Sequence, residues 1–450
     1  RFDQGHRLND VVHGLIPEGH LISDEVPLGD ALKLTKRHLS RSPEQPLFEA
    51  TFSKNRVLVR ADVFSRTDGA WRLTEVKSST RVKPYHIDDC AVQAWVIREA
   101  GYPVAQTILA HVDTGFTYRG DGDYNGLLKQ VDVTEKVQAL LPKVPDWVSE
   151  GLEVLAAGEP AIAIGPQCAD PFQCAFLPHC SPPPPEYPVS LLPNQGRILR
   201  ELLDEGIEDI RDIPEGRLTK PLHERVRRAT ITGEPYVATE LAEQLRDLPY
   251  PRYFLDFETT QFVIPLWPDT HPYEQLPFQW SCHVETANGD LRQAAFLDTT
   301  GEPPMRGCAE QLLEALGQSG PILTYSSFER RVINDLVKRF PDLRAPLEAL
   351  AERIVDLLPL VKAYYYHPIM RGSFSIKAVL PTVAPHLSYD ELGDVKDGTA
   401  AQGAFEEAIS ADTAPSRRQE IEGELLEYCA LDTLAMVELV RFLSRPEPFA

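Results

Sequence analysis

Long apolar runs are missing from this chain. No stretch approaches the ~18–20 consecutive apolar residues that a bilayer crossing needs, and the opening RFDQGHRLNDVV has neither the basic nor the apolar part of a signal peptide. No membrane partner is therefore expected, and a cytoplasmic location is the expectation. A disulfide framework is missing too: the seven cysteines, at positions 90, 168, 174, 180, 282, 308 and 429, are an odd number in a long chain. Positive charge is scarce. With 45 Lys and Arg against 67 Asp and Glu, the formal charge of −22 excludes the broad basic surface of a protein that coats nucleic acid. It does not exclude a metal site built of carboxylates. Internal repeats and low-complexity tracts are absent apart from the proline run SPPPPEYP.

What is present is enough for two cores, since single cores stop growing near ~250–300 residues and this chain has 450. Hydrophobic residues at 43% and charged residues at 25% are the balance of a folding, globular chain. VLVRADVF and WRLTEVKSS read as two strands reversed at Asp68-Gly69. HIDDCAVQAWVIREAGY follows as a helix stopped at Gly101, and VAQTILAHVD as another strand. Between Lys54 and Lys83 eight Lys and Arg face three acids, which suits either a phosphate or a solvated strand face. The proline run cannot continue a helix or a central strand and marks a domain edge. Beyond it LLPNQGRILRELLDEGIEDIRDIPEG is helical; GIEDIRDIPEG resembles half of a helix-hairpin-helix unit, and a helical spacer is the preferred reading. The strands YPRYFLDFETT, FQWSCHVE, RQAAFLD and PILTYSS then alternate with helices up to the amphipathic IEGELLEYCALDTLAMVELVRFL. The whole is an α/β arrangement, expected as residues 1–182, a connector and spacer over 183–250, and a second domain over 251–450.

Within the second domain Asp256 and Glu258 are two apart on a strand, so both leave one face of the sheet. Adjacent carboxylates repel, and hard oxygen donors of this kind suit a divalent ion such as Mg2+ or Mn2+. Tyr428 and Asp432, four apart, share one face of the last helix. LDFET together with YCALD resembles the first and last motifs of the DEDDy family of RNase H-like 3′–5′ exonucleases over residues 251–445. That resemblance implies a two-metal site held by Asp256, Glu258, an acid of a middle helix and Asp432, with Tyr428 orienting the attacking water. For the middle acid the family has an aspartate directly after a phenylalanine. TYSSFERRVINDL offers Glu329 there and Asp335 six residues on, and Glu329 is preferred. Asp356 in RIVDLLPL and Lys377 in SFSIKAVL stand as supporting residues.

In the first domain Asp62 precedes Glu75-Val76-Lys77, in which Glu75 and Lys77 alternate onto one strand face. Asp62 and Glu75 would hold a metal and Lys77 would stabilise the hydroxide or the developing charge; an ordinary ion pair is the other reading. Gln93 follows on a helix. Asp, Glu-x-Lys and a downstream Gln resemble the PD-(D/E)XK nuclease fold, which is restriction-endonuclease-like, in its RecB-like branch. The branch reads Q-x-x-x-Y, whereas Ile97 stands at the fifth position. An upstream histidine adds a ligand in many such sites, and His6 and His13 are available, although helix packing or exposure is the preferred reading of both.

Cys168, Cys174 and Cys180 recur at six-residue steps among prolines and aromatics, a setting that favours ligands over packing. By resemblance to RecB-like nucleases with an iron–sulfur cluster, they imply three of four ligands of a [4Fe–4S] site, with Zn2+ as the alternative. The fourth ligand would lie far upstream. Cys90 sits on the site helix and is a poor candidate, so the expectation is a segment ahead of Arg1. Taken together, the expected function is metal-dependent phosphodiester hydrolysis in both domains, with DNA favoured over RNA as partner. The competing expectation is a nucleic-acid-binding or scaffold protein in which one or both sites have decayed.

Overall fold

The computed structural model describes residues 2–445, the side chains of residues 2–6 and of Thr239 aside. The chain divides into two compact units. One comprises Arg1–Ser181 with Phe262–Glu274, and the other Pro182–Gln261 with Gln275–Ala450. Both are α/β.

The first unit runs α1 (Phe2–Leu15), β1 (His20–Leu21), α2 (Leu28–Arg41), β2 (Leu47–Lys54), β3 (Val57–Thr67), β4 (Ala70–Lys77), α3 (Pro84–Glu99), β5 (Val104–Val112), β6 (Leu128–Asp132), α4 (Thr134–Leu140), α5 (Val144–Ala156) and α6 (Leu177–Cys180). Its strands form one sheet in the order of the sequence. β3 and β4 are the hairpin expected from Asp68-Gly69, and both turn residues have positive φ, 51° and 78°. That is the backbone that closes a two-residue hairpin with the twist of its strands, and glycine adopts it without a Cβ penalty. β4 and β5 are parallel, and α3 is the crossover between them. The apolar residues of α3 pack on those of β2, β3 and β5 in a core that holds Phe52, Phe64, Leu73, Ile97 and Leu109. Gly101, at φ 99°, ends α3 where the sequence placed its stop.

The second unit runs α7 (Arg197–Asp204), α8 (Pro221–Thr232), β7 (Tyr236–Val237), α9 (Thr239–Arg246), β8 (Arg252–Thr260), β9 (Leu276–Glu285), β10 (Leu291–Leu297), α10 (Met305–Ala315), β11 (Ile322–Thr324), α11 (Phe328–Arg339), α12 (Arg344–Glu352), β12 (Ile354–Asp356), α13 (Leu357–Tyr364), β13 (Tyr365–Tyr366), α14 (Ile376–Val383), α15 (Gly398–Ala408) and α16 (Pro415–Leu443). Five of its strands form a sheet in the order β10-β9-β8-β11-β12. β8 is central, antiparallel to β9 and parallel to β11. α16 presents a stripe of buried residues at helical spacing, Ile421, Leu425, Tyr428, Cys429, Asp432, Met436 and Val440. It packs on β8, β9 and β10 and also against α14 and α15. Residues 183–250, read from sequence as connector and spacer, belong to this unit. Val189, Leu202, Ile210, Val226 and Leu245 share one buried cluster with Phe254, Met436 and Val440. The physical reason is that the short amphipathic helices after the proline run have an apolar face to bury and bury it here. The segment Phe262–Glu274, between β8 and β9 in sequence, packs in the first unit, where Val263 joins the cluster of Leu8, Val63 and Val112.

Among the described residues no helix is long and apolar enough to cross a membrane.

Candidate functional site

In the second unit β11 pairs only the first part of β8, Tyr253 and Phe254. Asp256 and Glu258 therefore lie past its end, at the carboxyl edge of the parallel pair, where open α/β sheets place their ligand crevice. Asp432 reaches the same point from α16. One ligand oxygen each from Asp256, Glu258 and Asp432 lie within 4.8 Å of one another, the only such group of three or more His, Cys, Asp or Glu among the described residues. Two stretches of chain about 175 residues apart in sequence are thus gathered by the docking of one helix on one strand.

Glu329, the second residue of α11, is buried and lies within hydrogen-bonding reach of Asp256, while Ser326 Oγ donates to Glu329 Oε2 at 3.3 Å. Asp335, the other candidate for the middle acid, is exposed and paired with Lys338 at 2.7 Å. Burial acts first on all four inward acids, and the charges of the neighbouring acids add to it at Asp256 and Glu258. Burial with the charge of Asp432 pushes Glu258 up to about 8, and burial pushes Glu329 up to about 7. Asp256, against Asp432, Glu258 and Glu329, is held well above the usual carboxylate range. Burial raises Asp432 as well, opposed by hydrogen bonds from Tyr389 and Tyr428 and by the charge of Lys377. Such a set fits a hard divalent cation, because a cation relieves both the desolvation and the repulsion.

The sequence reading missed Tyr389, whose hydroxyl donates to Asp432 Oδ1 at 2.6 Å. Its ring meets that of Tyr428 edge to face at 6.4 Å, and Lys377 Nζ lies 5.1 Å from the Tyr389 ring and 4.9 Å from the Tyr428 ring. Lys377 thus stands at the site and not merely beside it. No spacing rule joins Tyr389 to Asp432, so nothing in the sequence flagged it. Asp356 caps α13 through the Leu358 N–H at 2.9 Å and adds its charge to that felt by Glu329. Cys429 Sγ faces Asp256 Oδ2 at 3.6 Å. Beside Glu258 an open cleft of about 460 Å3 is lined by Gln261, Phe328, Asp397, Gly398 and Gln402 among others.

In the first unit the expected residues also converge. The Val76 N–H donates to Asp62 Oδ2 at 2.6 Å, across the β3–β4 pair. Lys77 Nζ donates to Glu75 Oε1 at 2.7 Å and Gln93 Nε2 to Glu75 Oε2 at 2.8 Å. Burial pushes Asp62 up to about 7, and burial with the charge of Asp62 pushes Glu75 up to about 8. Burial works against the charge of Lys77, but Glu75 and Asp89 outweigh it and hold the ammonium above its ordinary range. Two acids were missed: Asp89, which accepts from Lys77 at 2.7 Å, and Glu49, whose charge reaches Asp62 from β2. Asp89 had a legible signal, since it stands four residues before Gln93 and so shares its face of α3. Ile97, where the branch has tyrosine, is wholly buried in the core. His13 packs its ring on Phe48 at 4.3 Å, and the side chain of His6 lies outside the described residues.

The cysteine trio is less organised. All three are free thiols, half-buried at Cys168 and Cys174 and exposed at Cys180, and among the described residues their sulfurs are not gathered into a ligand set. The Cys174 N–H donates to the Cys168 carbonyl at 2.8 Å, which ties the first two only through backbone. Cys90 is buried in the first unit's core.

A family model described as a domain of unknown function (DUF2779) matches residues 253–375. That stretch holds Asp256, Glu258, Glu329 and Asp356 but ends before Lys377, Tyr389, Tyr428 and Asp432. No curated protein and no solved structure matches the chain.

Proposed function

We propose that the second unit is a divalent-cation-dependent 3′–5′ exonuclease of the RNase H-like DEDDy type, acting on nucleic acid, DNA in preference to RNA. The observation that carries this reading is the convergence of Asp256, Glu258 and Asp432 within 4.8 Å. The arrangement has the parts the DEDDy resemblance requires: two acids on one strand, a third on a middle helix and a fourth on the last helix with a tyrosine one turn before it. Mg2+ or Mn2+, when bound, would polarise the phosphate and lower the pKa of water. Asp256, Glu258 and Asp432 would hold it. Tyr428, one turn before Asp432, would orient the attacking water, Glu329 would fix Asp256 from behind, and Lys377 would contribute positive charge beside the developing anion.

The first unit is proposed as a second, RecB-like PD-(D/E)XK nuclease site, with Asp62 and Glu75 as cation ligands and Lys77 as the charge-stabilising residue. Gln93 holds Glu75 in place. No step in either site is assigned to a [4Fe–4S] cluster or to Zn2+ at Cys168, Cys174 and Cys180.

The test is nucleotide release from end-labelled single- and double-stranded DNA and RNA with Mg2+ or Mn2+. Asp256→Asn is expected to lower release from 3′ ends by at least about a thousandfold, in line with loss of a metal ligand at the reacting phosphate. Unchanged release in that variant would remove the exonuclease reading of the second unit, and binding without any release by the unsubstituted protein would leave a nucleic-acid-binding or scaffold role. Asp62→Asn and Lys77→Met test the first unit independently.

A further inference from the structure

Lys77 is shared. Its ammonium stands 2.7 Å from Glu75 Oε1 and 2.7 Å from Asp89 Oδ2, one acid from its own strand β4 and the other from the crossover helix α3. Glu75 is buried, with only 7% of its side chain exposed, whereas Asp89 is 43% exposed and anchors the lysine from the open side. Gln93, one turn after Asp89, also touches both acids through Nε2, at 2.8 Å to Glu75 and 3.4 Å to Asp89. Its other head atom, Oε1, is buried and has no hydrogen-bond partner among the described residues, in a side chain 95% buried at the centre of this group. A buried acceptor left without a donor is destabilising, and a cation arriving beside it would satisfy it. One ammonium thus faces Asp62, Glu75 and Asp89, and an acceptor is waiting.

This geometry sets a competition. A divalent cation held by Asp62 and Glu75 would compete for the Glu75 carboxylate, whose Oε1 accepts from Lys77 and whose Oε2 accepts from Gln93. If Glu75 were the lysine's sole partner, cation and lysine would exclude each other, and the site would lose the positive charge it needs at the developing anion. Asp89 removes the conflict, because Lys77 can release Glu75 and remain in place on a second carboxylate already at bonding distance. We propose that Asp89 is a positioning residue of the first unit's site. It retains Lys77 when Glu75 and the free oxygen of Gln93 turn to a divalent cation. The inference rests on the PD-(D/E)XK reading of this unit and adds to it a residue and a role.

The experiment uses the full chain carrying Asp256→Asn and Asp432→Asn, so that Mn2+ binding, followed by electron paramagnetic resonance of the free ion, reports the first unit. In that background Asp89→Asn is expected to weaken Mn2+ binding by about tenfold, because Lys77 then competes undivided for Glu75. Lys77→Met is expected to tighten it. With Lys77→Met already present, adding Asp89→Asn should change the affinity far less than it does when the lysine is there. Equal weakening with and without the lysine would make Asp89 a direct ligand and overturn the proposal, as would no effect of Asp89→Asn in either setting. Absence of any Mn2+ binding in the background would sink the metal site of the first unit itself, and the inference with it. Thermal unfolding of each variant identifies a folding failure. Should Asp89→Asn fail to fold, Asp89→Glu, which keeps the charge, is expected to restore the background affinity, and weak binding there would count against the role.

Discussion

At the level of single residues the second unit's site depends on how a buried carboxylate is held. Asp432 brings a charge into a place where burial disfavours it, and the Tyr389 hydroxyl at 2.6 Å is its shortest described contact. A hydrogen bond to a charged group contributes about 1.5–3 kcal/mol, and its loss frees the carboxylate to turn. Tyr389→Phe is therefore expected to lower kcat by about tenfold while KM for the nucleic acid stays unchanged, since what is lost is the placement of a ligand. Steady-state kinetics check this, and a rise in KM with kcat preserved would assign Tyr389 to the substrate instead. Glu329 illustrates how far a motif reaches. The sequence preferred it to Asp335 for its place after Phe328; it is buried, whereas Asp335 stands in an exposed ion pair.

At the level of elements the site is made by strand β8, which must lie at one height between β9 and β11. β11 begins after Gly320, whose φ of +91° would strain any L side chain and whose added Cβ would fall 2.0 Å from the Pro251 carbonyl oxygen just ahead of β8. Backbone cannot yield as a flexible side chain can. Gly320→Ala is expected to cost more than about 2 kcal/mol, read as a lowered denaturation midpoint in urea with the slope unchanged. α16 is fixed to the sheet by buried polar contacts as well as by packing. The Thr433 hydroxyl lies 3.0 Å from Ser281 Oγ and 2.8 Å from His283 Nδ1, and Gln279 Nε2 donates to the Leu425 carbonyl at 2.7 Å. Much at this scale was legible in advance. The hairpin at Asp68-Gly69, the stop of α3 at Gly101 and the long last helix follow from local rules of turn geometry and hydrophobic period. The very short strands β1, β7 and β13 were not, because two residues carry no period and exist only by pairing with a neighbour.

For the whole molecule the two acidic groups make folding depend on pH and on cations together. Glu75 and Glu258 are pushed up to about 8 and Asp62 and Glu329 to about 7, in each case by burial first. A carboxyl whose folded pKa lies above its unfolded value, ordinarily ~4, is favoured by folding in its protonated form. The stability so contributed is complete below about pH 4 and is lost as pH rises through about 7 to 8. Metal-free protein is therefore expected to show a falling Tm between about pH 5 and about pH 9, and Mn2+ or Mg2+ is expected to raise Tm more at the alkaline end, where the acids are ionised. Differential scanning calorimetry with and without the cation measures it. Glu258→Gln should flatten the slope, and a slope unchanged by that substitution would show that these acids do not govern it.

What the sequence alone determined is what depends on near neighbours in the chain: an α/β protein, its principal strands and helices, and the pairs Asp256 with Glu258, Glu75 with Lys77 and Tyr428 with Asp432, each set by the period of one strand or helix. What only the tertiary structure decided is which of those pairs meet and what stands between them. Asp432 joins Asp256 because α16 lies on β8, Tyr389 joins Asp432 from a short turn with no pattern of its own, and Asp89 reaches Lys77 because α3, the crossover from β4 to β5, packs on the sheet. The reason is physical. Local conformation is governed by steric and hydrogen-bond rules over a few residues, whereas the meeting of distant side chains is governed by how apolar faces bury one another, and a carboxylate carries no mark in the sequence of the partner that such packing will bring to it.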